Sequence, residues 1–574
     1  MEIRQIKFEN YRNLTGVELD FNSISYIIGE NGIGKSNILH ALNRIFSNNK
    51  FLENDFFDKT KKIEIGLILS LAESEIGAFD DYTDPSNSLY INLRIEQEWD
   101  DLAFHLYHVE SNDELNIKFL RNIQFIYYDS IRNPKNELVF DKEKGSGSLL
   151  NFIVKYYLNE NKEEDINYIN SEKLNGALDF INNKMQKIAT IERNKVKVSF
   201  DSDDVSFLNS IFKLYDSKSI ELKSSGYGIQ FSLSVILSLF EKMISASTSA
   251  KKRGEILKEY NCVLAFDEPE IHLHPFAQRS LVKDLIKISK GQDAGFNDMI
   301  NELFGIEKFS AQLLLVSHSD KIIVGNYENI VRVYHENSSV KSISGAKIKQ
   351  QNLSYISKYE NHLQKVFPYF CEALFARCVI FVEGDTEMGA FGEFAKKLKV
   401  DFDEKGVSLI NANGGGSIIP LIKLFSLFKI VVIGIKDRDV YEREKLKGTD
   451  QSEENSLIAE NKLILTDDQN FEFEMVNASN DLNELYRVLE KMDSRFVEPI
   501  QKSKIDKFKK DFPTMGFQGD GPLSWREEAS LLEKKVYLIN VLSQMKTVVN
   551  GANIAENIPI NDIPKIYAEL IKSL

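Results

Sequence analysis

Apolar positions along the opening residues alternate loosely with polar ones. Ile3, Ile6 and Phe8, then Val17, Leu19 and Phe21, follow the two-residue period of strands that bury one face. Residues 23–28 form a third apolar run that stops at Gly29. The period then lengthens, and Ile38, Leu39, Leu42, Ile45 and Phe46 recur at the spacing of one helix face. Further strand-like runs fall at 62–71, 88–96 and 123–128, and again at 262–266 and 312–317. Between these groups, 145–198 turns polar and rich in Asn and Lys, the pattern of helices inserted into the first domain. A second series of strands, at 379–382, 407–410 and 430–435, opens near Cys371, and the tail from 481 reads as lysine-rich helix. Strands interleaved with helices predict two α/β domains. The first is split into 1–145 and 201–370 around a helical insertion at 146–200, and the second occupies 371–574 with its helical tail.

Composition narrows the class. A chain of 574 residues with 43% hydrophobic and 27% charged positions folds and buries sizeable cores. Its formal net charge of -15 argues against nucleic acid wrapping the whole surface, while leaving room for a local basic groove. Only three cysteines occur, none in a Cys-x-x-Cys pair, so neither structural zinc nor a disulfide framework is expected. The N-terminus lacks an apolar signal core, and apolar runs such as 231–240 are too short to span a bilayer. The expectation is a soluble, cytoplasmic protein with no membrane partner.

The turn after the third strand carries chemistry. Gly29-Glu30-Asn31-Gly32-Ile33-Gly34-Lys35-Ser36 satisfies G-x-x-x-x-G-K-S between a strand and a helix. In that context backbone N–H groups wrap phosphates, Lys35 reaches the β and γ phosphates, and Ser36 binds Mg²⁺. Downstream, four apolar residues run from Val263 to Phe266 into Asp267 and Glu268. Asp267 is placed to hold the Mg²⁺ of ATP, and Glu268 to orient or deprotonate the attacking water. His318 ends the apolar strand 313–315, where a lone histidine by itself reads as structural. Arg132 follows another strand; a phosphate contact and a surface ion pair are both open for it.

A second set of acids follows the later strands. Glu383 comes just after 380–382, and Asp437 and Asp439 close 430–435 as a D-x-D. If these strands lie side by side and parallel, their ends bring the three carboxylates together. Carboxylates without His or Cys select a hard cation, Mg²⁺ or Mn²⁺. The plain alternatives are a helix-start carboxylate and a solvated turn. Glu387 lies one helical turn past Glu383. Glu472 and Glu474 share a face if their segment is extended.

The first set of motifs, with GENGIGKSN and AFDEPEIHLHP as they stand here, resembles ABC-type ATPases of the SMC, RecF and Rad50 kind. That resemblance adds Asn31 and Asn37 to the nucleotide-binding set and makes His318 the switch histidine that senses the γ-phosphate. It also implies a loop that caps the nucleotide of an opposite subunit, hence a homodimer. Ser225-Gly226-Tyr227-Gly228 is the candidate, with Tyr227 where the usual serine would be. The second set resembles a Toprim domain, and Asn413-Gly414-Gly415-Gly416 resembles the glycine turn of OLD-type Toprim domains. The order ATPase then Toprim resembles OLD-family nucleases, nearest to the nuclease subunits of anti-phage systems of the Gabija or retron-associated kind.

That likeness implies an ABC-type (SMC/RecF-like) ATPase with a helical dimerisation insertion, followed by a Toprim α/β nuclease. Two Mg²⁺ or Mn²⁺ ions would be held by Glu383, Glu387, Asp437, Asp439 and Glu472, with a late lysine at the site. Lys534 or Lys535 is the candidate by position. The implied activity is an ATP-regulated DNA endonuclease serving antiviral defence, as a dimer or larger assembly, with a helicase-like protein or a retron ribonucleoprotein as partner. Lys502, Lys504, Lys507, Lys509 and Lys510 read equally as phosphate contacts or as a solvated helix face. The rival reading is a RecF-like, ATP-driven DNA clamp whose Toprim domain only docks; it implies DNA binding without cutting.

Overall fold

The computed structural model describes residues 1–71, 83, 89–130, 149, 152–153, 171–200, 212–215, 227–252, 257–271, 273–351, 367, 371–493, 495 and 497–574. The chain divides into two compact units, Met1–Leu353 and Ser354–Leu574.

The first unit contains two six-stranded sheets. One runs in the order β2-β1-β4-β5-β6-β7: β1 (Glu2–Glu9), β2 (Val17–Asp20), β4 (Ile63–Ser70), β5 (Tyr90–Gln97), β6 (His105–His108) and β7 (Glu114–Leu115), paired antiparallel throughout. Its strands alternate buried and partly exposed positions, as in Ile63, Ile65 and Leu67 of β4, because one face covers a core and the other does not. The second sheet has the order β14-β13-β3-β12-β11-β8, built from β3 (Ile24–Gly29), β8 (Gln124–Tyr128), β11 (Glu259–Asp267), β12 (Lys308–Val316), β13 (Ile330–Glu336) and β14 (Ser339–Ser344). All its pairings are parallel except that of the edge strand β14. Every residue of β3 is buried, which is why it reads as an unbroken apolar run rather than an alternating one.

This strand order positions the nucleotide motifs. β3, β12 and β11 are adjacent, so the glycine loop after β3, His318 after β12 and Asp267 at the end of β11 open at one edge of the sheet. Helix α1 (Lys35–Phe46) follows the loop and buries Ile38, Leu39, Leu42 and Ile45.

The insertion is described in part, as α2 (Ser171–Met185), α3 (Ala189–Arg193) and β9 (Lys197–Phe200), which pairs with β10 (Phe212–Tyr215). Where polar helix alone was expected, the sequence thus ends in a strand pair. Helix α4 (Tyr227–Lys252) extends well beyond the apolar stretch 231–240. Residues 230–252 are long and apolar enough to cross a membrane by length and composition, contrary to the sequence expectation, yet 61% of the window is buried inside the protein, as in a core helix. After β11 come α5 (Pro275–Ser289) and α6 (Ala294–Phe304).

The second unit has a four-stranded, wholly parallel sheet of order β16-β15-β17-β18, formed by β15 (Cys378–Val382), β16 (Val407–Asn411), β17 (Val431–Lys436) and β18 (Leu463–Leu465). Helix α7 (Asp385–Lys397) follows β15, α8 (Gly415–Leu427) follows β16, and α9 (Arg438–Leu446) and α10 (Ser452–Ala459) follow β17. The tail is helical, and includes α11 (Phe471–Ala478), α12 (Lys502–Asp511), α13 (Leu531–Leu542) and α14 (Val548–Asn557). Helices α7, α11 and α13 share one core, with Phe391, Phe394, Phe473, Val536 and Tyr567 buried in it.

Candidate nucleotide site and candidate metal centre

At the nucleotide site, the glycine loop is held tightly to the sheet. A side chain at Gly29 would place its Cβ 2.2 Å from the Val333 carbonyl oxygen of β13, in a backbone with φ +154, so only glycine fits where the loop leaves the strand. Lys35 is buried, and its Nζ donates to the carbonyls of Gly29 (3.0 Å) and Glu30 (2.8 Å). Burial pulls its pKa down to about 8, against the nearby carboxylates of Glu268 and Asp267. Ser36 Oγ donates to Asp267 Oδ1 at 3.0 Å. Burial pushes Asp267 up to about 6 although that bond opposes it. The pair that would share a Mg²⁺ is therefore already joined, hydroxyl to carboxylate.

Beyond Asp267 the chain turns sharply, with Glu268 in the left-handed region at φ 48. Its carboxylate meets His318 Nε2 at 3.2 Å, and burial, then Lys35, depresses the His318 pKa. Glu270 locks the two loops together. It accepts from Ser317 Oγ (2.8 Å) and from the His318 backbone N–H (2.7 Å).

Sequence reasoning missed Glu270, and it missed a brace from the turn after β1. Asn13 Nδ2 donates to the Ile33 carbonyl (2.8 Å), Asn37 Nδ2 donates to Asn13 Oδ1 (2.9 Å), and Arg12 donates to Asn37. Arg12 also pairs with the buried Asp55 at 2.8 Å. Of the other expected nucleotide contacts, Asn31 and Gly32 are exposed in the loop and Gly34 immediately precedes α1. Gly228 lies in the first turn of α4. Ser225, Gly226 and Arg132 lie outside the described residues.

In the second unit, β15 and β17 are neighbours, so Glu383 and Asp437 emerge side by side. The Asp437 N–H donates to Glu383 Oε2 at 3.2 Å. A side chain at Gly415 would put its Cβ 3.0 Å from the same oxygen, so the glycine turn leaves space against the carboxylate. Glu387 is buried in the first turn of α7. Asp439 sits in the first turn of α9, where the helix dipole favours an anion, and its Oδ2 accepts from Arg443 at 3.0 Å.

The second acid segment differs from the extended form considered from sequence. Residues 471–478 are helical, so Glu472 and Glu474 face different ways. Glu474 accepts from the Asp468 N–H at 2.7 Å. Glu472 turns to Lys546, whose Nζ lies 2.8 Å from its Oε1.

These acids act on one another. Burial first, then the charges of Glu387, Glu383, Glu472 and Asp439, raises the pKa of Asp437 far above the usual carboxylate range. Glu387 is raised by burial and then by Glu472, and Glu383 and Asp439 are raised chiefly by burial. Lys546 opposes this repulsion at Glu387, and Arg443, then Lys546, oppose it at Asp439.

The lysine that the structure pairs with these acids is Lys546, at Glu472, rather than Lys534 or Lys535. Lys534 and Lys535 lie inside α13, where Lys534 donates to Asn483 (3.2 Å) and Lys535 to Asn477 (2.6 Å). Lys546 falls between two helices in no recognisable motif, and only its pairing with Glu472 reveals it.

Among the described residues no three His, Cys, Asp or Glu side chains already stand as a cage for an ion. The donor set nevertheless fits a hard divalent cation. It is all carboxylate, and Asp439 Oδ1 and Glu472 Oε2 are buried oxygens with no hydrogen-bond partner, an arrangement that is costly unless a cation completes it.

Comparison with known proteins accords with this division. An AAA ATPase domain family matches residues 1–76 and 79–323. The TOPRIM domain of overcoming lysogenization defect protein-like sequences matches 374–439, a stretch that ends before Glu472 and Lys546. The Old nuclease of Escherichia phage P2 is 21% identical over 507 residues, covering 81% of this chain and 80% of its own. Endonuclease GajA of Bacillus cereus strain VD045 is 24% identical over 463 residues, covering 72% and 71%. Among solved structures, an Smc head bound to the C-winged helix domain of ScpA aligns over 61% of this chain and 100% of its own, at 12% identity and a TM-score of 0.36.

Proposed function

Because the chain belongs to the AAA ATPase domain family and carries an OLD-like TOPRIM domain, we propose that it is an ATP-regulated, divalent-metal-dependent DNA endonuclease. The observation that carries this reading is the gathering of Glu383, Glu387, Asp437, Asp439 and Glu472, mutually repelling, with Glu387 and Glu472 buried, the other three half-buried and Lys546 at the exposed edge. A docking module has no use for so many desolvated charges, each of which weakens the fold. A site that takes up divalent cations does.

Glu383, Asp437 and Asp439 would hold one Mg²⁺ or Mn²⁺, and Glu387 and Glu472 would share a second. Such ions activate water and stabilise a leaving oxygen in phosphodiester hydrolysis. The chain itself supplies the rest. Lys546 holds Glu472 in place and offers an ammonium to a phosphate oxygen. The Asp437 N–H fixes the rotamer of Glu383, and Arg443 fixes Asp439.

In the first unit, Lys35, Ser36 and Asp267 would take the phosphates and Mg²⁺ of ATP, with Asn31, Gly32, Gly34 and Asn37 lining the loop. Glu268 would orient water and His318 would sense the γ-phosphate. Dimerisation through the insertion, with Gly226 and Gly228 capping the partner's nucleotide, completes the ATPase reading. Antiviral defence in the cytoplasm, alongside a helicase-like protein or a retron ribonucleoprotein, is the setting that the OLD and GajA likeness favours.

The test is supercoiled plasmid incubated with Mg²⁺ or Mn²⁺ over a range of ATP, with unsubstituted protein and with Glu383→Ala. Cutting by the first and not by the second is expected, falling as ATP rises if the nucleotide restrains it. DNA bound in an ATP-dependent manner but never cut would favour the clamp reading instead.

A further inference from the structure

Among the described elements, helix α12 is the most basic of an acidic protein. It carries Lys502, Lys504, Lys507, Lys509 and Lys510 against Asp506 and Asp511, while the chain as a whole has a net charge of -15. Ile505 and Phe508 are its buried residues. At helical spacing this turns Lys510 outward, with Lys507 on one side of it and Asp506 on the other. Lys507 and Lys510 are exposed and make no ion pair among the described residues. Lys509 stands on one flank, paired with Asp520 at 3.2 Å, and Lys504 stands on the other.

The helix is fastened to the acid cluster at two points. Phe508 stacks on Phe473 with ring centroids 6.1 Å apart and an interplanar angle of 6°, and Phe512 packs on the same ring at 4.7 Å. Phe473 is the residue after Glu472 on α11, so the basic helix rests on the helix that presents a site carboxylate. On the other flank Lys504 Nζ donates to Gln544 Oε1 at 2.5 Å. Gln544 lies two residues before Lys546, the cation paired with Glu472. A helix so rich in lysine costs stability through the repulsion among its own like charges, unless an anionic partner lies across it.

We propose that the lysine face of α12 binds the phosphate backbone of duplex DNA and holds the strand against the carboxylates of the second unit. This deepens the nuclease reading and rests on it for the identity of the polymer. Lys507 and Lys510 would make the principal phosphate contacts. Lys504 would lie on the flank nearest the site. Contacts of this kind position DNA without reading its sequence.

The experiment uses the full-length Glu383→Ala protein, so that DNA is not consumed, and follows a fluorescent duplex by anisotropy over a salt series. Adding Lys507→Glu and Lys510→Glu together is expected to weaken binding about tenfold or more. It should also make the slope of log affinity against log salt shallower by about 2, roughly 0.9 for each phosphate no longer neutralised. Lys507→Arg with Lys510→Arg should bind as the parent does. An unchanged melting temperature of the charge-reversed protein separates a disabled surface from a damaged fold.

If duplex affinity and salt slope are the same with and without charge reversal, the proposal is overturned, whether or not plasmid is cut. If charge reversal abolishes binding but the unsubstituted protein never cuts, the surface stands and the nuclease reading falls. Loss of binding confined to single-stranded RNA, with duplex DNA unaffected, would also overturn it.

Discussion

At the nucleotide site the charged side chains already have partners. Lys35 is bonded to two loop carbonyls, Ser36 to Asp267, and His318 to Glu268. In the second unit five carboxylates gather with two cations, Lys546 on Glu472 and Arg443 on Asp439; among the described residues Asp439 Oδ1 and Glu472 Oε2 have no hydrogen-bond partner, as Glu270 Oε2 has none at the nucleotide site. Both regions lie at the C-terminal ends of parallel strands, where ligands bind in open α/β sheets. They differ in what the empty site must endure. The glycine loop shields its lysine with backbone dipoles and can stand without nucleotide at modest cost. The acid cluster stores repulsion that protons or metal ions must relieve. A nucleotide is therefore expected to act on the first region mainly by adding contacts, whereas metal acts on the second by removing strain.

The largest effects should separate the two regions. Glu383→Ala should lower plasmid cutting by about 10³-fold or more, since metal-assisted stabilisation is worth several kcal/mol. Nucleotide affinity of the same variant, measured with a fluorescent ATP analogue, should stay within about twofold of the parent, a shift under about 0.5 kcal/mol. Lys35→Ala should do the reverse, abolishing nucleotide binding while leaving nucleotide-free Mn²⁺ binding intact. If either variant lost both ligands, the contrast would break.

Lys546→Met comes next. It leaves Glu472 buried without its cation, so the metal-free melting temperature should fall and Mn²⁺ should restore most of it. Cutting should drop about 10²-fold, the usual scale for a lost acid–base or charge-stabilising group. A melting temperature equal to the parent's without metal would show that the lysine does not balance the acids.

The pH dependence sharpens the contrast. Glu383, Glu387, Asp437 and Asp439 have pKa values raised above those of the unfolded chain. The folded protein therefore keeps protons that the unfolded chain has released. This contribution to stability is fully present at acid pH and is lost as pH rises through the raised values. Metal-free melting temperature should decline between about pH 5 and pH 8, and the stabilisation given by Mn²⁺ should grow over the same range, because metal uptake displaces those protons. Thermal melts with and without Mn²⁺ across pH test this, and a gain that shrinks with pH would contradict it.

The smallest effect is a control. Lys534→Ala, which removes a bond to Asn483 and a stack on Trp525, should leave cutting unchanged and move stability by no more than about 1 kcal/mol.

The two regions also differ in how far they could be read from sequence. Strand runs and the glycine loop are local patterns, so β3, β11, β12 and the pairing of Glu383 with Asp437 across β15 and β17 follow from apolar runs ending in acids. The closing residues of the acid site are not local. Glu472 lies on a helix whose buried residues include both glutamates, so no period distinguishes the one that faces the cluster. Lys546 sits in a short connection, and a lone lysine there reads as ordinary surface. The brace of Arg12 and Asn13 is equally silent, since a polar turn after a strand carries no signal until α1 packs beside it.

The central claim is that the clustered carboxylates of the second unit form a metal centre. It is tested most directly by Mn²⁺ titration of the full-length, nucleotide-free protein at mildly alkaline pH, read by the loss of the free Mn²⁺ resonance, for the parent and for Glu383→Ala and Asp437→Ala. The account expects saturable uptake by the parent that is lost or greatly weakened in both variants. Uptake that is absent from the parent, or equal in all three proteins, would contradict it.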